Sequence, residues 1–149
     1  MIELRRESAD SEPARALFAE YMDLLRERLG QRFEPPPHIL ASASDFSVFL
    51  VLYYGEDPVA CGGLRPSEPG TCEIARMFVA ARARRRGHAR RLLGELEAIA
   101  RAQGDRRILL FTTGVLEEAL ALYATAGYER LAGSDGERAD FWLGKRLAG

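Results

Sequence analysis

The residues best placed to do chemistry lie in one stretch, EIARMFVAARARRRGHARRLL, residues 73–93. An extended apolar segment there runs into a loop carrying Arg82, Arg84, Arg85 and Arg86, then Gly87, His88 and Ala89, and then an amphipathic run. The first turn of a helix leaves backbone amides without partners and carries the positive end of the helix dipole. Glycine at that point lets an anion approach the backbone, and a small residue such as Ala89 leaves the approach open. Neighbouring guanidinium groups add charge-assisted hydrogen bonds to the same oxygens. Residues 84–89 therefore read as a cradle for a diphosphate, set against the plainer reading of a basic, solvated loop.

Other chemistries find less support. A dinucleotide fingerprint needs several glycines near the start of alternating strand–helix units, and a Walker loop needs Gly-Lys-Ser/Thr; neither pattern occurs. Cys61 and Cys72 lack the His and carboxylate companions of a thiol nucleophile. No His/Cys cluster has the spacing of metal ligands, so no metal is expected. His88 reads as a phosphate-side or solvent residue, and His38, after Pro35-Pro36-Pro37, as a surface one.

The elements that must position this loop follow from periodicity. Ile2 and Leu4 alternate with charges as in a short strand. Asp10 or Ser11 caps a helix that opens with Glu12 and Pro13, carries Leu17, Phe18, Tyr21, Leu24 and Leu25 at helical spacing, and ends near Gly30. Residues 33–45 have no period and read as loop or extended chain. Three strands follow with short turns, Phe46–Tyr54, Val59–Leu64 and Thr71–Val79, forming an antiparallel meander. Residues 89–103 place Leu92, Leu93, Leu96, Ile99 and Ala100 on one helical stripe. The apolar run at 108–111 then completes a strand–helix–strand unit, which makes the strands at 71–79 and 107–112 parallel. Leu116, Ala119, Leu120 and Tyr123 form a further helical stripe closed by Gly127. Tyr128–Leu131 and Phe141–Leu147 are the last strands. The fold class expected is α/β (α+β): a mixed central sheet of about six to seven strands flanked by helices.

The length, 149 residues, suits one domain spanning 1–149. A net charge of −1 gives no general reason to expect nucleic acid or an anionic membrane as partner. No stretch approaches the roughly 20 apolar residues of a membrane span, and the first residues lack the apolar core of a signal peptide. With two cysteines on neighbouring predicted strands, buried free thiols and a cytoplasmic, reducing location are expected.

Two segments together resemble the Gcn5-related N-acetyltransferase (GNAT) family. Arg84-Arg85-Arg86-Gly87-His88-Ala89 matches the family's Arg/Gln-x-x-Gly-x-Gly/Ala loop, preceded by Glu73 and the apolar triplet Met77-Phe78-Val79. Residues 119–128, ALALYATAGY, match its later helix motif, in the family's order. This chain departs in having Ala81 for a common proline, Arg85 for glycine, His88 for an aliphatic residue and Ala89 for glycine.

The resemblance implies a single-domain fold in which the two parallel strands splay apart around acetyl-coenzyme A. The backbone of Met77, Phe78 and Val79 would pair with the pantetheine arm, and the amides of Arg85–Ala89 would bind the diphosphate. It implies Tyr123 as the acid that returns a proton to the departing sulfur, against a reading as a core aromatic. It implies Glu73 as the base that frees the acceptor amine, directly or through water, against a reading as a salt-bridged or exposed strand residue; Asp140 and the C-terminal backbone are weaker alternatives. Acetyl-CoA is then a co-substrate, and the acceptor is the primary amine of a small molecule, favoured over a macromolecule. Acceptor choice would rest on residues 18–45, 66–70 and 132–140. The protein would act as a monomer or homodimer. A non-catalytic acyl-CoA sensor and a nucleic-acid binder using the arginines at 82–91 are the competing functions.

Overall fold

The computed structural model describes residues 1–30, 42–113, 117–131 and 140–147. The predicted loops around His38 and across 133–139, and Leu116, lie outside these. Strand β1 (Ile2–Arg6) leads into helix α1 (Glu12–Leu29). The Ser11 hydroxyl accepts from the Ala14 amide, Glu12 and Pro13 occupy the first turn, and Gly30 ends the helix at φ 105°. A short 3₁₀ turn at Ala43–Asp45 precedes β2 (Val48–Tyr54), β3 (Asp57–Pro66) and β4 (Thr71–Val79). The strand expected from Phe46 starts two residues later, because the Phe46 amide bonds to the Ala43 carbonyl and closes that turn. A second 3₁₀ turn, Ala81–Ala83, leads to α2 (His88–Ala102), β5 (Arg107–Thr113), α3 (Glu117–Thr125), β6 (Glu129–Arg130) and β7 (Asp140–Arg146).

Among the described residues these strands form one mixed sheet in the order β1-β2-β3-β4-β5-β7-β6. The meander is antiparallel and the β4–β5 pair is parallel, as the strand–helix–strand unit requires. β7 inserts between β5 and β6. Gly144 permits this close packing, since a Cβ there would come within 3.3 Å of Leu109 and Leu131.

The two faces of the sheet are covered by different helices. Leu92, Leu93, Leu96, Ile99 and Ala100 of α2 pack with Leu64, Cys72, Ile74, Ile108 and Leu110. On the other face Ala14 and Leu17 of α1 pack with Phe49, Val51, Cys61 and Phe78. The two cysteines, on neighbouring strands but far apart along them, thus point to opposite faces, and both are free and buried. One buried charge is built into the α2 face. Glu97 accepts from the Tyr128 hydroxyl at 2.8 Å and from the Lys145 ammonium at 2.9 Å, tying α2 to the chain around β6 and to β7.

Candidate active site

The site begins where the sheet opens. β4 and β5 pair only from Thr71↔Arg107 to Ile74↔Leu110, although β4 runs on to Val79 and β5 to Thr113. The cause lies on the other edge of β4. The register with β3 jumps between Cys61↔Phe78 and Gly63↔Ala75, and Arg76 takes a left-handed φ of 57°. This bulge turns the end of β4 away from β5. Two groups hold it. The Cys61 thiol donates to the Arg76 carbonyl at 3.4 Å, and Gly62 leaves room for Met77, whose sulfur would lie 3.0 Å from a Cβ at that position. The Arg76 guanidinium stacks over the Phe18 ring at 4.4 Å. Beyond the bulge, the β5-facing edge of Met77–Val79 has no strand partner among the described residues.

The chain leaving β4 is set by backbone bonds and then released from them. Ala80 donates to the Val59 carbonyl, and Ala83 and Arg84 close the 3₁₀ turn on Ala80 and Ala81. Arg85 (φ 64°) and Gly87 (φ 79°) then both enter the left-handed region. Alternating handedness of this kind aims successive N–H groups to one side, a geometry that binds anions. Arg91 makes the first helical bond, to the Gly87 carbonyl. Among the described residues the amides of Arg85 through Arg90 have no backbone acceptor, and no side chain caps the helix. A Cβ at Gly87 would meet nothing within 4 Å. Glycine is therefore needed here for its φ, and the space before it is open.

These amides and the free edge of β4 share a cavity of about 640 Å³. Met77, Phe78 and Val79 line it from β4, Arg84, Arg85 and Gly87 from the loop, and His88, Ala89 and Arg90 from α2. Helix α1 contributes Tyr21, Leu24 and Arg28; α3 contributes Glu118, Leu122 and Tyr123. Among the described residues the charged side chains on the wall are Arg28, Arg84, Arg85 and Arg90 against Glu118, so this wall favours an anion. Glu118 is held by Arg28, whose guanidinium nitrogens lie at 2.8 and 3.3 Å, and more loosely by Arg84 at 3.8 Å. The Arg28 guanidinium keeps the Glu118 carboxyl below its ordinary range.

Tyr123 is 5% exposed and packs edge-on against Tyr128 with ring centroids 5.8 Å apart. Burial raises its phenol above the ordinary value, with a smaller push from Tyr21. Its hydroxyl has no hydrogen-bond partner among the described residues. Tyr21 stacks on Phe78 at 5.4 Å, and burial pushes its phenol up to about 12. Both hydroxyls therefore stay protonated at neutral pH and can donate.

Two residues singled out from sequence sit apart from this wall. The Arg86 side chain is exposed. Glu73 lies on the still-paired part of β4, opposite Arg65, and accepts from its guanidinium at 2.7 Å; both side chains are 13% exposed. Of the two readings of His88, phosphate-side or solvent, its burial removes the second. Its ring is 4% exposed, and Nδ1 is buried with no hydrogen-bond partner. Conversely, the sequence marks neither Arg90 nor Glu118 as a site residue, and it places Tyr21, Leu24 and Arg28 only within the broad acceptor-choosing span 18–45. The two apolar-stripe residues look like core, and an arginine in so Arg-rich a chain carries no local mark. Asp140 is the first residue of β7.

The residues present fit a diphosphate-bearing coenzyme: unpaired amides at a helix start, a cationic wall, and a free strand edge leading to a buried phenol. Residues 11–128 match the acetyltransferase (GNAT) family. The chain belongs to this family. A curated relative is the uncharacterized N-acetyltransferase YjgM of Escherichia coli K12, 35% identical over 86 residues, which cover 56% of this chain and 52% of that protein. The chain spans about half the length, or less, of the curated relatives it matches. Solved GNAT structures share the fold. A GNAT acetyltransferase of Staphylococcus aureus Mu50 superposes with a TM-score of 0.81 at 14% identity, covering 99% of this chain and 100% of the other. The PaiA N-acetyltransferase of Thermoplasma acidophilum, in complex with coenzyme A, gives 0.72 at 19% identity, covering 98% and 99%. Among the described residues no group of three or more His, Cys, Asp or Glu side chains could hold a metal ion, and no helix is long and apolar enough to cross a membrane.

Proposed function

We propose that this GNAT protein is an acetyl-CoA-dependent N-acetyltransferase that moves an acetyl group to the primary amine of a small-molecule acceptor, by direct attack in a ternary complex. The observation that carries this reading is the run of unpaired amides at residues 85–90, opening on the same cavity as the free edge of β4 and Tyr123.

When bound, acetyl-CoA supplies the activated acetyl thioester. The amides of Arg85–Ala89, with Arg84 and Arg85, hold its diphosphate at the positive end of α2. The main chain of Met77–Val79 takes the pantetheine arm as an added strand in the gap beside β4, and orients the thioester carbonyl. Tyr123 donates its phenolic proton to the departing sulfur. The acceptor must lose a proton before it attacks, and Glu73 is the proposed recipient. Its carboxylate is fixed by Arg65 away from the cavity wall, so the role requires an intervening water. Two free, buried thiols support a reducing, cytoplasmic setting.

The test is thiol release from acetyl-CoA with a panel of primary amines, alongside direct binding of coenzyme A. Saturable binding and turnover on at least one amine are expected. Binding without turnover on any amine would favour an acyl-CoA sensor, and no affinity for coenzyme A would overturn the assignment.

A further inference from the structure

The cofactor loop contains one group that its proposed role leaves unexplained. His88 opens α2, where the family pattern carries an aliphatic residue. Its side chain is almost completely buried, and Nδ1 is the one buried side-chain nitrogen or oxygen among the described residues that lacks a hydrogen bond. An orphaned buried polar atom is uncommon enough to require a cause. Here the residue that carries it lines a cavity whose described wall is mostly cationic.

We propose that the His88 imidazole takes up a proton when a diphosphate docks at the start of α2, so that coenzyme binding is coupled to proton uptake. This rests on the diphosphate-binding role proposed above. In the free protein every nearby influence keeps the ring neutral. Burial acts first, then the cations of Arg86 and Arg91, and the positive end of α2 acts in the same sense.

The remaining charged or titratable groups on the cavity wall do not change state near neutrality. Arg84, Arg85 and Arg90 from the loop and α2, and Arg28 from α1, stay cationic. Glu118 from α3 is held anionic by Arg28. Tyr21 and Tyr123 are pushed up and stay neutral. His88 alone among these described groups is of a residue type whose ordinary pKa lies near neutrality. A bound diphosphate brings negative charge to the same helix start and reverses the balance. One proton then moves from solvent to the ring, and no bond to the ligand is made or broken.

The experiment is calorimetric titration with dephospho-CoA. This probe retains the diphosphate but lacks the phosphomonoester, whose own titration near pH 6 would confuse the result. Titrations at pH 7 in two buffers of different ionisation enthalpy count the protons taken up. A series from pH 8 to 6 gives the affinity profile. Net uptake of part of a proton, up to about one, is expected, with affinity rising roughly three- to tenfold as pH falls across the series. His88→Leu and His88→Asn should both bind with no proton uptake and a flat profile. Buffer-independent enthalpies for the wild type, or unchanged pH dependence in either folded variant, would overturn the inference while leaving the cofactor site standing. Failure of the wild type to bind dephospho-CoA at every pH would instead overturn the site reading, and this inference with it.

Discussion

Glu118 on α3 and Arg28 on α1 are joined across the cavity by two hydrogen bonds, at 2.8 and 3.3 Å, and Arg84 of the anion loop reaches the same carboxylate at 3.8 Å. The only carboxylate on the described wall is thus shared between a helix–helix tie and a guanidinium proposed to serve phosphate. An incoming diphosphate must compete with Glu118 for Arg84. Glu118→Gln removes that competition and one like charge. We expect coenzyme A to bind about two- to fivefold more tightly at low salt, with the gain shrinking as salt rises. Because the pair is partly exposed, thermal stability should fall only slightly, by up to about 1 kcal/mol. Weaker binding by the variant would show that Glu118 positions Arg28 or Arg84 for the ligand.

Tyr123 offers a sharper division between binding and chemistry. Its ring fills a buried place beside Tyr128, so phenylalanine keeps the packing and deletes only the oxygen. Tyr123→Phe should lower kcat by about a hundredfold, the scale of a lost general acid, with coenzyme A affinity within about twofold of wild type. Steady-state rates and equilibrium binding measured on one preparation separate the two. Undiminished turnover would reduce Tyr123 to a core aromatic.

The buried carboxylate of Glu97 tests the fold away from the cavity. It is 6% exposed and bonded to both Tyr128 and Lys145, the only lysine in the chain. Truncation leaves a half-buried ammonium and a buried phenol without their acceptor. Glu97→Ala should therefore cost about 3 kcal/mol. Lys145→Met should cost less, because Tyr128 still donates to Glu97. The double variant should fall short of the sum by about 1 kcal/mol or more, as for groups in direct contact. Chemical denaturation of the four proteins gives the cycle, and strict additivity would mean that the bond is not made in solution.

What the sequence disclosed and what it concealed divide along physical lines. Local signals were legible: Ser11 and Gly30 bound α1 where capping chemistry puts them, and the leucine stripe of α2 faces the core. Gly87 was recognisable as special, and its φ of 79° gives a reason for glycine in addition to the open approach. The features that open the site were legible only in part: Gly62-Gly63 suggests a bulge or a close backbone approach within β3, and the register does shift there, but the groups it meets are distant in sequence. Nothing about an arginine announces a left-handed conformation, yet Arg76 and Arg85 both adopt one. The bulge at Arg76 needs Cys61 and Gly62 from the neighbouring strand. Glu73 and Arg65 meet only through the β3–β4 register, which decided that a candidate base would lie in an ion pair. The insertion of β7 between β5 and β6 is likewise a matter of tertiary packing.

His88 also makes a claim about stability that does not involve any ligand. Burial, then Arg86 and Arg91, lower its pKa in the folded protein. Above about pH 6.5 the ring is neutral in both folded and unfolded chains and contributes no pH dependence. Below that value the unfolded chain takes up a proton that the folded chain resists. Stability should therefore decline as pH falls from about 6.5 to the lowered folded-state pKa, and then level off. His88→Leu removes this slope together with the unpartnered buried nitrogen, and restores the side-chain type usual at this place in the family. The variant should be more stable by about 1 kcal/mol at pH 7.5, and the gap should widen at pH 5.5. Urea denaturation at the two pH values measures both quantities. A constant gap would place the wild-type ring in contact with water, and a leucine variant less stable at both pH values would assign His88 a packing role that leucine cannot fill.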